Sequence, residues 1–116
     1  MEKKNIVLDL SFEFALEIIE YAELLEESRK YVVAKQLLKS GTSIGANIRE
    51  SQSGESKVDF IHKLKIADKE IKETEYWLLL CKKSERYPNP GQKIFEHLTS
   101  LANLTSKIII TSKKNH

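Results

Sequence analysis

Proline and glycine are scarce in this chain, at 2 and 4 of 116 residues. That works against turn-rich β architecture and favours long helices. There is one cysteine, Cys81, so an internal disulfide is excluded. A single thiol fits a reducing compartment. No apolar run approaches the ~20 residues that a bilayer crossing needs. The start, MEKKNIVLDLSF, has two lysines but no long apolar region and no small-residue cleavage site, so no signal peptide is expected. Metal and redox spacings are missing too: there is no C-x-x-C, no H-x-x-x-H and no H-E-x-x-H. No P-loop and no G-x-G-x-x-G offers a seat for a phosphate or dinucleotide cofactor. The expectation is a cytoplasmic protein without membrane segment, cofactor or metal.

What is there is ordinary in amount and informative in order. Charged residues make up 31% and hydrophobic residues 41%, as in a globular domain. The length fits one domain, 1–116, able to bury roughly two-thirds of its unfolded surface. Residues 1–10 read as an arm that docks through Ile6, Val7, Leu8 and Leu10, and 113–116 as a frayed polar tail.

Four helical segments follow from the 3.6-residue period. The first is capped by Ser11 and runs to about Glu27, with Ala15, Ile18, Ile19, Ala22 and Leu25 on one face. The second runs from near Tyr31 to about Gln52, with a stripe of Val33, Leu37, Ser40 or Gly41, Ile44 and Ile48. It contains KSGTSIGANIRE, where Ser40, Gly41, Ser43, Gly45 and Ala46 put small side chains at helical spacing, with Ile44 and Ile48 four apart among them. Each glycine in a helix interior costs roughly 1 kcal/mol relative to Ala. The compensation expected is close approach of another helix. Asn47 lies near that buried side and needs a partner, either a nearby backbone group or Glu50; a ligand held by Asn47 and Glu50 is the alternative.

The third segment begins at Ser56, in a weak relative of the capping box, S-x-x-D. Phe60, Leu64, Ala67, Ile71, Thr74, Leu78 and Cys81 then recur at spacings of 4 and 3, a sustained heptad seam. The fourth is expected to start with Asn89 as cap and Pro90 in first position, and repeats the seam with Ile94, Leu98, Leu101, Thr105 and Ile108. Short connections make the fold class all-α, an antiparallel up-down-up-down four-helix bundle. Ile66, Trp77 and Leu80, with Phe95, Ala102 and Ile109, lie off the seams. They are candidates for an interface in a homo-oligomer. Cover by helix 1 or the arm within one subunit is the alternative.

Chemistry of the enzymatic kind finds no foothold. Cys81 sits on the seam and reads as inert core. Bundle di-metal sites need E-x-x-H pairs on two helices, and Asp59-x-x-His62 stands alone. Glu70, Glu73 and Glu75 read as a solvated face. Charge is the better lead. Residues 1–28 carry a net −6 and residues 29–116 a net +8. Either the acidic first helix neutralises basic neighbours, or the basic part faces a nucleic acid. The candidate cations are Lys35, Lys39 and Arg49 on helix 2, and Lys65, Lys69 and Lys72 in one stripe on helix 3. A lysine ridge neutralises phosphates without reading bases.

The runs QLLKSGTSIGANIRES and SKVDFIHKLKIADKEIKETEYWLLL resemble the four-helix-bundle family encoded by intervening sequences in bacterial 23S rRNA genes, some of whose members carry the label S23 ribosomal protein. The resemblance spans about Ser11 to Ser112. It is most specific at S-I-x-A-N-I-x-E (Ser43, Ile44, Ala46, Asn47, Ile48, Glu50) and S-x-x-D-F (Ser56, Asp59, Phe60). Lys39 stands where members often have Arg, which keeps the charge and loses bidentate phosphate recognition. The resemblance implies a cytoplasmic homopentamer without catalytic residues. Similar proteins serve as accessory factors of diversity-generating retroelements, beside nucleic acid and a reverse transcriptase. The expected function is an RNA-associated accessory protein, the alternative a protein-interaction scaffold that binds no nucleic acid.

Overall fold

A computed structural model describes residues 5–114, and these form four helices: α1 Ile6–Glu27, α2 Tyr31–Ser51, α3 Lys57–Lys83 and α4 Gln92–Lys114. α1 packs against α2 and α4, and α3 against α2 and α4, and the backbones of the diagonal pairs do not approach closely. This is the antiparallel up-down-up-down bundle, an elongated body of 50 × 28 × 22 Å.

The heptad seams build the core as the spacing requires. Leu64, Ala67, Ile71, Thr74, Leu78 and Cys81 of α3 are buried, as are Ile94, Leu98, Leu101 and Thr105 of α4. Phe60 and Ile108, at the ends of the two seams, are only partly buried. From α2 come Ala34, Leu37, Ser40, Gly41, Ile44 and Ile48. Two of the polar core positions are joined across helices: the Thr74 hydroxyl lies 3.0 Å from the Ser40 hydroxyl, inside the core.

Helix 1 differs most from its sequence reading. It starts at Ile6, not after Ser11, because Asn5 caps it: the Asn5 side chain accepts from the Leu8 N–H at 3.1 Å. Residues 6–10 are therefore helix rather than arm; residues 1–4 lie outside the described residues. Ser11 is buried one turn in, donating to the Leu8 carbonyl. The six extra residues carry Val7 into the core. Phe14 and Tyr21 are also core, while Ile19 is 39% exposed and Ala15 is partly covered.

The helix ends differ by turn chemistry. After α1, Arg29 adopts φ 63°, and Lys30 N–H reaches back to the Leu25 carbonyl at 2.8 Å while Arg29 N–H reaches Glu26 at 2.9 Å. That is a Schellman ending with arginine in the left-handed place usually given to glycine. Before α4, Asn89 accepts from Gly91 N–H at 2.8 Å, and Gly91 turns the chain at φ 89°. The asparagine thus shapes a turn rather than capping the helix, and α4 begins at Gln92, not Pro90. At the far end Lys113 and Lys114 are helical, not frayed; 115–116 lie outside the described residues.

Candidate nucleic-acid interface

The small-residue stretch of α2 sets how closely the helices approach. A Cβ at Gly41 would stand 2.8 Å from both Cγ atoms of Ile18 in α1. At Gly45 it would meet the Ser11 carbonyl at 3.3 Å. Ser43 donates to the Lys39 carbonyl at 2.7 Å, and Asn47 to the Ser43 carbonyl at 2.9 Å. So Asn47 is satisfied by its own helix. Ile44 is fully buried, Ala46 faces solvent, and Glu50 pairs with Lys63 of α3 at 2.9 Å. These contacts account for the stretch as packing.

The six candidate cations do not form one surface. Lys65, Lys69 and Lys72 are exposed along the outer side of α3, opposite its seam. Lys39 joins them from α2. It and Lys69 flank Glu70, and both work to lower the pKa of that carboxyl. Burial, and then Glu73, outweigh them and raise it. Lys72 is held by Asp68 at 2.8 Å, one turn back, and this pairing raises its pKa. Lys35 and Arg49 lie elsewhere, on the flank of α2 turned towards α1. Arg49 shares a shallow depression there with Asp9, Phe12 and Glu13.

The sequence reading missed one member of the ridge. Lys113, at the end of α4, comes beside Lys65, whose ammonium lowers the Lys113 pKa. Two helices so present ammonium groups to each other with no carboxylate within 4 Å of either, among the described residues. Such a pair offers ready counter-charge to a phosphate. Treating 113–116 as a loose tail hid it.

The apolar interface candidates are partly covered by their own subunit. Trp77, Phe95, Ala102 and Ile109 pack against the core, and Ile66 is half-buried. Leu80 is 44% exposed. Lys82 of α3 lies over the Phe95 ring, 5.2 Å from its centroid, so Phe95 faces α3. Ile66 lies one turn from Glu70, on the flank of α3 nearer α2. Ile66 and Phe95 therefore lie on different flanks of α3.

Groups that could do chemistry are occupied structurally. Burial raises the Cys81 thiol pKa above its ordinary value, which opposes thiolate formation. Tyr21, its neighbour, is also pushed up by burial, and its hydroxyl donates to the Pro88 carbonyl. His97 of α4 pairs with Glu17 of α1 as a helix-to-helix tie. No three His, Cys, Asp or Glu side chains converge as a metal site among the described residues. None of the described helices is long and apolar enough to cross a membrane.

Fold and surface define a class: a four-helix bundle with a basic ridge along one helix. The family described as 23S rRNA-intervening sequence protein matches residues 3–111, and the chain belongs to that family. A solved structure of a protein with unknown function from the S23 ribosomal protein family of Bacteroides thetaiotaomicron is similar at 45% identity, with a TM-score of 0.84. The match covers 89% of this chain and 97% of that one. No curated protein sequence matches the chain.

Proposed function

We propose that this protein is a non-catalytic, cytoplasmic RNA-associated accessory protein that works as a homo-oligomer. The observation that carries the reading is the cation cluster of Lys39, Lys65, Lys69 and Lys113, gathered from three helices around one exposed ridge. Contacts of this kind hold a phosphate backbone without reading bases. A ring of copies would repeat the ridge, and weak contacts would add as avidity. A pentamer, the state that the family resemblance implies, would present five such ridges. A reverse-transcriptase-like protein is the partner that the same resemblance suggests. Lys72, tied to Asp68, is a secondary contributor.

The test is direct. Protein purified without nuclease should carry RNA, visible as excess absorbance at 260 over 280 nm. Purified apoprotein should shift single-stranded RNA in fluorescence anisotropy. Reversing Lys65, Lys69 and Lys113 to Glu should abolish the shift while the circular-dichroism spectrum stays helical. An unchanged shift in that variant would remove the ridge from the function.

A further inference from the structure

The basic ridge of α3 also carries a ring that the core does not use. Opposite the seam, Lys65, Lys69, Lys72, Tyr76, Leu79 and Lys83 recur at spacings of 4, 3, 4, 3 and 4. All six are exposed, Tyr76 at 58% and Leu79 at 41%. Residues at such spacings stand one above another on a helix. Tyr76 therefore has Lys72 one turn before it and Lys83 two turns after it. At 1.5 Å per residue, Lys65 to Lys83 spans about 27 Å of a single helix. Among the described residues Lys65, Lys69 and Lys83 have no carboxylate within 4 Å.

The ring is braced from below. Tyr76 and Trp77 meet edge to face, with centroids 5.4 Å apart and planes at 70°. Trp77 packs against the core, and its indole N–H donates to the Glu73 carboxylate at 3.4 Å. An edge-to-face contact takes at most one face of the tyrosine ring. The exposure of Tyr76 leaves the other face to solvent. Cations in a row serve a phosphate backbone of any kind, paired or unpaired. A held aromatic face among them serves something narrower, a flat ring that arrives on the same chain as the phosphates.

We propose that Tyr76 is a base-stacking residue, and that the α3 ridge takes single-stranded rather than duplex RNA. Phosphates lie along Lys65, Lys69 and Lys83, and an unpaired base stacks on the free face of Tyr76. In an RNA duplex the bases are already stacked on each other, so only the lysines would find partners there. Stacking accepts every base, because every base has a π-face, so the site selects for an unpaired strand and not for a sequence. This inference rests on the RNA reading of the ridge and narrows its ligand.

The experiment uses the full chain and three probes: single-stranded oligoadenylate, an RNA duplex of the same length, and inorganic polyphosphate, which has the charge without the bases. The chain has one tryptophan, Trp77, and it touches Tyr76, so its emission reports on the site. Oligoadenylate should quench Trp77 emission and bind more tightly than the duplex. Polyphosphate should compete for the ridge without the quench. Tyr76→Ala should weaken oligoadenylate binding by about 5- to 150-fold, the range for one lost stacked base. It should leave the affinities for duplex and polyphosphate unchanged, and Tyr76→Phe should bind oligoadenylate as wild type does. The position is more than half exposed, and an unchanged circular-dichroism spectrum checks that the helix stands. A Tyr76→Ala variant that holds oligoadenylate as tightly as wild type, or a wild type that holds duplex and single strand alike, would overturn the stacking site and leave the lysine ridge in place. A wild type that binds none of the three probes would overturn the RNA reading itself.

Discussion

Ile18 of α1 stands against Gly41 of α2 with no room for a methyl group between them: both its Cγ atoms lie 2.8 Å from where a Cβ would be. Gly41→Ala should therefore cost about 1–3 kcal/mol by overpacking. Its better helix propensity, about 1 kcal/mol, offsets only part. In an Ile18→Ala background the same substitution should be neutral or stabilising. A double-mutant cycle by urea unfolding measures the coupling.

Thr105 sits in the α4 seam, fully buried, and its hydroxyl has no hydrogen-bond partner among the described residues. An unpaired buried hydroxyl costs roughly 1–3 kcal/mol. Thr105→Val keeps the shape and removes the hydroxyl, so it should stabilise by about 1–2 kcal/mol. Chemical denaturation checks this.

Arg29 holds the left-handed place that ends α1, at φ 63°. A side chain there costs roughly 1–2 kcal/mol relative to a relaxed backbone. Arg29→Gly should raise stability by about 1 kcal/mol, after the flexibility it adds to the unfolded chain is set against that relief. The melting temperature reports it.

Burial and Glu73 outweigh Lys39 and Lys69 and raise the Glu70 carboxyl above its ordinary pKa. The folded state then holds this proton more tightly than the unfolded chain does. Stability attached to Glu70 is present at low pH and falls as pH rises through the unfolded value and up to the folded one. Glu70→Gln should melt higher than wild type at neutral pH, and the gain should vanish below about pH 4. The same change removes a negative charge from the ridge, so RNA affinity should rise.

The long repeats carried most of the fold. On α3, the positions from Leu64 to Cys81 read from the sequence as seam are buried, since a 4-and-3 spacing leaves one face to choose. Helix ends were less legible. Asn5 and Ser11 are both good caps, and only the packing of Ser11 beneath Gly45 decides between them. Asn89 could cap or turn, and the conformation of Gly91 decides that. At the surface, four of the six cations stood on the right helices for a shared ridge, but the sequence could not bring Lys113 to Lys65 across 48 positions.

The central claim is that the α3 ridge binds an RNA backbone by charge, and its most direct measurement is the salt dependence of single-stranded RNA binding. Binding to phosphates weakens with log salt at a slope of about −0.7 per contact. With Lys65, Lys69 and Lys113 changed to Ala, the slope should flatten by about 2 for each ridge engaged. A triple variant that keeps the wild-type slope and affinity, or a wild type that fails to bind at low salt, would contradict the account.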